Sequence, residues 1–242
     1  MIEVEQLTKE YGKNGVRGLS FTVRPGEIVG LLGPNGAGKT TTLKSIAGIT
    51  HPSSGTIRVA GLDLRTSPVE AKRRLAFVSD EPRLFDELTV GEHLTFFARV
   101  YGTPEGEALG RTLLAAHGLG DRLDAFPKEL SRGMVQTVSV VCAILHRPAA
   151  LVLDEPLTGL DPIGMRRMRQ TMRAQADAGV AVLLSSHLLP LVESLCDRLL
   201  VLQGGALIAS GTIDEIRSQM RIAAGTSLEE LFVALTHPQR PR

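Results

Sequence analysis

A glycine-rich segment in the first fifth of the chain carries the residue types that bind phosphate. Residues 33–40 read GPNGAGKT and match the pattern G-x-x-x-x-G-K-[ST] in full. An apolar strand is predicted before this segment, and a helix is predicted over 41–47. Glycines let backbone N–H groups converge on phosphate oxygens at a helix N-terminus, where the helix dipole favours anions. The segment therefore predicts a nucleotide phosphate site rather than a simple strand-to-helix turn with a surface lysine.

The residues expected to hold the nucleotide here are Asn35, Gly36, Ala37, Gly38, Lys39, Thr40 and Thr41. Lys39 would place its positive charge on the β- and γ-phosphates, so we also count it as catalytic. The hydroxyl of Thr40 is a hard oxygen ligand suited to Mg²⁺.

A second motif ends an apolar strand with two carboxylates. Residues 151–155 read LVLDE. Because successive strand side chains point to opposite faces, Asp154 and Glu155 can do different work. We expect Asp154 to hold the magnesium ion, and Glu155 to orient and deprotonate an attacking water. Beside a phosphate loop, this pair predicts hydrolysis of a nucleoside triphosphate.

Three further motifs narrow the prediction. They read LSRGM at 130–134, TGLD at 158–161 and Ser186-His187 after the next strand. Together with the first two motifs, and in this order, they resemble the ATP-binding-cassette (ABC) ATPases over residues 2–235. The resemblance implies a P-loop ATPase that binds ATP and Mg²⁺. It also implies the ATP-binding subunit of a bacterial transporter whose permease is a separate polypeptide.

The resemblance also implies a head-to-tail dimer that forms with two ATP molecules at the interface. Ser131, Arg132 and Gly133 would then act on the nucleotide of the partner subunit. Asp161 would cross the interface near the opposite phosphate loop. His187 would contact the γ-phosphate within its own subunit and hold the geometry of the water.

Two residues near the amino terminus are expected at the nucleoside. The resemblance places Tyr11 where an aromatic ring stacks on adenine, and Val16 where it would flank the ribose. A packing role at the end of a strand remains the alternative for Tyr11, because stacking and packing aromatics look alike in a sequence.

The sequence departs from the family pattern at two points. Asp80 stands where a glutamine is usual, and LSRGM places Arg132 and Met134 where glycine and glutamine are usual. An arginine beside a γ-phosphate is chemically sensible, and an aspartate can ligate magnesium. We expect Asp80 to be a third magnesium ligand, with a turn-capping role before Pro82 as the alternative.

The elements that must position these residues follow from the apolar pattern. Helices are predicted at 90–101, at 134–145 and, after a capping box at Ser227, at 228–235. The continuous apolar runs among the strands indicate a parallel sheet buried on both faces. The predicted strands cover 2–6, 19–23, 27–32, 56–59, 75–79, 151–153, 180–184 and 199–202.

The predicted fold class is α/β: a P-loop NTPase core with a mostly parallel sheet, an N-terminal antiparallel β subdomain and an inserted helical subdomain. We expect a single ABC ATPase domain over 1–242. Residues 1–85 and 148–211 would form the core with the β subdomain, 86–147 the helical subdomain and 212–242 a helical tail that frays at 239–242.

Composition limits the partners. The chain has 242 residues and a net charge of +1, so no nucleic-acid partner is expected. No apolar run approaches the roughly 18 residues that span a bilayer. We therefore expect a cytoplasmic subunit, bound peripherally at the inner face of the cell membrane through its permease.

The direction of transport follows from two segments that resemble bacterial exporter ATPases. These are the ending at 226–235 and the DEP at 80–82 followed by LTV at 88–90. Export is therefore favoured over import. The open alternatives are a soluble cassette ATPase that is not coupled to transport and a regulatory nucleotide-binding module. A GTPase or small-molecule kinase is disfavoured, because an N-K-x-D guanine motif is absent.

Overall fold

Two β-sheets form the framework of the chain. The computed structural model describes residues 1–12, 14–219 and 226–236. The first sheet has four antiparallel strands in the order β2-β1-β4-β5. Its strands are β1 (Ile2–Tyr11), β2 (Asn14–Val23), β4 (Ser54–Val59) and β5 (Leu62–Asp63).

The second sheet has six strands in the order β10-β9-β3-β8-β7-β6. Five of them run parallel, and only β10 is antiparallel to its neighbour β9. Every residue of β3, β7 and β8 is buried, as their unbroken apolar runs require. The strands are β3 (Ile28–Leu32), β6 (Leu75–Val78), β7 (Ala150–Asp154), β8 (Ala181–Ser185), β9 (Arg198–Gln203) and β10 (Ala206–Gly211).

Side chains satisfy free backbone N–H groups at the start of several helices. Thr89 and Glu92 form a capping box at the start of α3, and Ser131 caps α5. Asp161 caps α6, whose first residue is Pro162. The helices are α1 (Lys39–Ile46), α2 (Pro68–Arg73), α3 (Val90–Tyr101), α4 (Gly106–Ala116), α5 (Arg132–Ile144), α6 (Pro162–Asp177), α7 (Leu189–Leu195), α8 (Ile213–Gln219) and α9 (Leu228–Thr236).

Three apolar clusters hold these layers together. One lies between the two sheets and includes Leu43 of α1. A second lies on the other face of the six-stranded sheet, under α5, α6, α7 and α9. The third joins α3, α4 and α5 around Leu94 and Leu114. The inserted helices therefore pack mainly on one another, with α5 also contacting the central sheet.

The predicted fold class is confirmed, while several elements go beyond the predicted ones. β10 and α7 were not assigned from the sequence, because their apolar residues are few or are interrupted by glycine and proline. α4 and α8 lie within the predicted helical subdomain and helical tail, but their own bounds were not predicted. The subdomain limits at 86 and 147 remain predictions. The tail end predicted to fray, 239–242, lies outside the described residues. In the ranges that the structure describes, no helix is long and apolar enough to cross a membrane.

Candidate nucleotide site

The residues predicted to bind and hydrolyse the nucleotide lie at the carboxyl ends of three neighbouring strands. β8 lies between β3, which leads into the phosphate loop, and β7, which ends at Asp154. Parallel strands present their carboxyl ends at one edge, which is where open α/β sheets bind ligands. Motifs separated by more than one hundred residues in the sequence therefore meet at this edge.

The phosphate loop is shaped by close backbone packing. Gly38 has φ +105° and caps α1 in the left-handed region. A Cβ at this position would lie 2.3 Å from Val16 Cγ1, so only glycine fits. Lys39 Nζ donates to the carbonyl oxygens of Gly33 at 2.6 Å and Pro34 at 3.3 Å. The ammonium group is thus held inside the loop at the N-terminus of α1.

The electrostatics around Lys39 come from burial and from two carboxylates. Burial lowers the pKa of Lys39 below its ordinary value, and the charges of Glu155 and Asp154 act in the opposite direction. The carboxylates thus favour the charged ammonium, which is the form that binds phosphate.

The second motif is organised around the end of β8. Asp154 is 2% exposed, and its Oδ1 accepts a 2.6 Å hydrogen bond from the hydroxyl of Ser185. The Glu155 backbone N–H donates to the same hydroxyl at 3.0 Å. Glu155 has φ +51°, a left-handed conformation that is unusual for a residue with a side chain. A strained backbone at this point turns the Glu155 side chain away from the strand.

The Glu155 carboxylate reaches His187. His187 Nδ1 lies 2.8 Å from Glu155 Oε2, and the His187 backbone N–H also donates to Oε2 at 3.3 Å. An ionised carboxylate can only accept, so Nδ1 carries the hydrogen in this pair. The pairing joins Glu155, which is predicted to activate the water, to His187, which is predicted to hold the geometry of that water.

Lys39, Asp154 and Glu155 line a cleft of about 440 Å³. Tyr11 lies at this cleft with its ring 52% exposed, and Lys9 Nζ lies 5.2 Å from the ring centroid. The lining residues other than Tyr11 come from both sheets and the phosphate loop: Asn14, Gly15, Asn35, Gly36, Gly38, Lys39, Thr40, Thr41, Asp80, Asp154 and Glu155.

His187 does not line this cleft itself, but it contacts the lining residue Glu155. Val16 and Ala37, which are predicted to contact the nucleotide of their own subunit, do not line it either. Val16 is fully buried and supports the phosphate loop through its contact with Gly38. Ala37 is 2% exposed, and its N–H donates to the Pro34 carbonyl at 3.1 Å. Their predicted contacts with ribose and phosphate remain predictions.

The oxygen donors in the cleft fit a magnesium ion shared with a nucleotide. Thr40, Asp80 and Asp154 all line it, and each offers a hard oxygen. Within the described ranges, no group of three or more histidine, cysteine, aspartate or glutamate residues could enclose a metal unaided. Mg²⁺ in nucleotide sites usually binds one or two carboxylates together with substrate phosphates.

The LSRGM and TGLD segments lie together, but outside the cleft lining. Ser131 Oγ accepts from the Met134 N–H at 3.3 Å, which starts α5. A Cβ at Gly133 would lie 2.5 Å from the Gly159 carbonyl oxygen, so this glycine is needed for close packing of the two segments. Asp161 Oδ1 accepts from the Gly164 N–H at 2.6 Å.

An unexpected contact joins the two departures from the family pattern. Arg132 Nη2 lies 3.1 Å from Asp80 Oδ1, and the two side chains are 54% and 48% exposed. Asp80 therefore forms an ion pair with a residue of α5 in this structure.

Sequence reasoning missed three residues of the site. Asn14 and Gly15 line the cleft from the start of β2, and Ser185 bonds to both acidic residues. The signal for Ser185 was a hydroxyl residue at the end of an apolar strand, two positions before His187. Asn14 and Gly15 carried no comparable signal.

The glycine-rich loop after a central parallel strand, together with a nearby strand that leads into Asp154 and Glu155, defines a P-loop NTPase. The family model of the ABC transporters matches residues 16–158. The chain is 36% identical over 239 residues to the ABC-type transporter ATP-binding protein EcsA of Bacillus subtilis, across 98% of this chain and 96% of that protein. It is 43% identical over 213 residues to the Nod factor export ATP-binding protein I of Burkholderia thailandensis, across 87% and 70%.

Two solved structures agree. One, described as the ATP binding subunit of an ABC transporter, has a TM-score of 0.92 and 39% identity, and the match covers 97% of this chain and 99% of that one. An ATP-binding cassette in a dimeric post-hydrolysis state, bound to ADP and Pi, has the same fold, with a TM-score of 0.79, 20% identity, and coverage of 88% and 99%. The chain belongs to the ABC transporter family, and it is an ATP-binding ABC ATPase.

Proposed function

We propose that this chain hydrolyses ATP with Mg²⁺ to drive export through a permease that is a separate polypeptide. The observation that carries the proposal is that Lys39, Asp154 and Glu155 line one cleft and that His187 is paired with Glu155. Support for export comes from relatives, one of which is a Nod factor export ATP-binding protein and another a linearmycin resistance ATP-binding protein.

The residues divide the work of hydrolysis. Lys39 and the N-terminus of α1 bind the phosphates and offset their charge. Glu155 takes the proton of the attacking water, and His187 holds the Glu155 carboxylate in place through Nδ1. Thr40, Asp80 and Asp154 would hold Mg²⁺. The ion, when bound, neutralises charge that develops on the phosphate oxygens.

We further propose that ATP joins two copies of the chain head to tail. The side chains of Ser131, Arg132 and Asp161 are exposed and lie outside the lining of their own cleft. We infer from this placement that the three residues act on the nucleotide bound to another copy. ATP would then favour the dimer, because it binds that state with contacts that the monomer lacks.

The permease would bind near the beginning of the inserted helices. Phe85, Phe96 and Tyr101 are large apolar side chains there, with exposures of 49%, 39% and 37%. Tyr101 lines a hollow of about 360 Å³ beside β6, and Phe96 lines another of about 490 Å³ on α3. The ring of Phe85 packs against that of Phe96, with 5.2 Å between the centroids. An exposed apolar patch of this kind is typical of a protein interface. Binding here would hold the chain at the inner face of the membrane.

The test uses the protein encoded by the adjacent reading frame, provided that this protein has several membrane-spanning helices. Co-expression and purification should recover both proteins in one complex, whose ATPase rate depends on Mg²⁺ and exceeds that of the chain by itself. Phe96→Asp should reduce recovery of the complex while leaving the basal ATPase rate unchanged. Val233→Asp, at a 53% exposed apolar residue on α9, is the matched control.

Two outcomes would contradict the proposal. Mg²⁺-dependent hydrolysis by the chain, with no membrane protein recovered in a complex and none that raises the rate, would favour a soluble cassette ATPase. ATP binding without turnover, by the chain and by any complex, would favour a regulatory module.

A further inference from the structure

Ser185 lies at the centre of the sheet edge that is formed by the carboxyl ends of β3, β8 and β7. It is the last residue of β8, and its backbone is in register with Leu31 of β3 on one side and Asp154 of β7 on the other. Its side chain is fully buried. A hydroxyl is therefore placed between the strand that leads to the phosphate loop and the strand that carries the acidic pair.

The direction of its two hydrogen bonds is determined. The Glu155 backbone N–H can only donate, so the Ser185 hydroxyl accepts that bond at 3.0 Å. Its single hydrogen is then directed to Asp154 Oδ1, at 2.6 Å. A bond of this length to a charged oxygen is a strong, charge-assisted one. Asp154 thus has one oxygen engaged by the protein, and its other oxygen is left for a cation in the cleft.

The same hydroxyl restrains Glu155. The backbone of Glu155 has φ +51°, and its N–H bond to Ser185 anchors the start of this strained turn. From there the carboxylate reaches His187 Nδ1 at 2.8 Å. A change at Ser185 would disturb the Asp154 carboxylate and the Glu155–His187 pair together.

We propose that Ser185 is a positioning residue, which orients Asp154 toward magnesium and holds Glu155 in the conformation that activates water. The proposal rests on the proposed function, since it assumes Mg²⁺-dependent ATP hydrolysis. A serine that merely satisfies a buried carboxylate would affect stability, but it would not change how much Mg²⁺ contributes to ATP binding.

The experiment compares Ser185→Ala with Ser186→Ala in the full chain. Ser186 is 3% exposed, and its hydroxyl accepts from the Leu188 N–H at 3.1 Å. Affinity for a non-hydrolysable ATP analogue is measured with Mg²⁺ and with EDTA, alongside kcat, KM and thermal unfolding. In Ser185→Ala the gain in affinity caused by Mg²⁺ should fall about tenfold, and kcat should fall about tenfold or more. Affinity in EDTA should match that of Ser186→Ala.

Two further variants keep the test decisive. Cysteine in Ser185→Cys is close to serine in size but is a poor hydrogen-bond donor. The gain in affinity caused by Mg²⁺ should therefore fall in this variant as well, which keeps the test usable if Ser185→Ala does not fold. Ser185→Thr keeps the hydroxyl and should retain most of the gain from Mg²⁺. An unchanged Mg²⁺ gain and kcat in Ser185→Ala or Ser185→Cys would overturn the positioning role. Absence of Mg²⁺-dependent hydrolysis in the wild type would instead contradict the proposed function.

Discussion

The candidate site has a buried half and an exposed half. The buried half is the strand edge, where Asp154 and Ser185 are 2% and 0% exposed. The exposed half consists of Asp80, Arg132 and His187, whose side chains are 48%, 54% and 62% exposed. Hydrogen bonds in a low-dielectric interior are strong, so the buried half keeps one geometry. Exposed ion pairs are screened by water and contribute about 0–1 kcal/mol, so the exposed half can exchange partners.

This contrast suggests a division of labour. Under the proposed function, the strand edge would supply the fixed chemistry of hydrolysis, and the exposed residues would respond to nucleotide, a second copy and the permease. Glu155 lies between the halves, since its backbone is bonded to buried Ser185 and its side chain to exposed His187.

The largest effect is expected for Glu155→Gln. An amide cannot take the proton of water, so turnover should fall by a factor of about 100 to 10,000 while ATP binding persists. ATP that is bound but not hydrolysed should make the variant accumulate as a dimer in size-exclusion chromatography. Steady-state phosphate release measures the loss. Near-wild-type turnover would show that Glu155 is not the base.

The next effect concerns Arg132 and the dimer. Arg132→Glu places a carboxylate near the γ-phosphate of the partner and should weaken ATP-driven dimerisation at least about tenfold, through like-charge repulsion. Nucleotide affinity of the monomer should stay within about twofold. Arg132→Lys keeps the charge and serves as the control in analytical ultracentrifugation. Loss of nucleotide binding by the Arg132→Glu monomer would refute a contact across the interface.

A smaller effect is expected at Tyr11. Stacking on a base is worth about 1–3 kcal/mol, so Tyr11→Ala should weaken ATP binding about tenfold. Tyr11→Phe retains the ring and should bind ATP nearly as the wild type does. Because the ring is 52% exposed, thermal stability should change little. A clear fall in the unfolding temperature of Tyr11→Ala, with unchanged affinity, would favour the packing role.

The smallest effect is expected at Asp80. An amide attracts Mg²⁺ less than a carboxylate does, so Asp80→Gln should raise the Mg²⁺ concentration for half-maximal ATPase rate about threefold. Asp80→Ala should lose about half or more of the permease-stimulated rate. The ion pair with Arg132 is exposed, so either change should alter the free energy of unfolding by at most about 1 kcal/mol. Superimposable Mg²⁺ titrations, with stimulation intact, would remove Asp80 from the magnesium site.

Much of the fold and of the strand-edge motifs could be predicted because each is encoded by adjacent residues. The apolar runs of β3, β7 and β8 predict a buried parallel sheet, and the glycine pattern at 33–40 predicts a turn that only glycine permits. Ser131 and Asp161 precede helices as side chains that cap free N–H groups. Local sterics and local hydrogen bonding are sufficient to determine features of this kind.

Contacts between distant residues were decided by the tertiary structure. The Ser185–Asp154 bond joins residues 31 apart, and the Arg132–Asp80 pair joins residues 52 apart. Val16 reaches Gly38 because the antiparallel sheet packs over the start of α1. Sequence patterns show which side chains are buried, but strand order and helix packing determine which of them meet. The hydroxyl of Ser185 at the end of β8 meets the Asp154 carboxylate only because β8 lies beside β7 in the folded sheet.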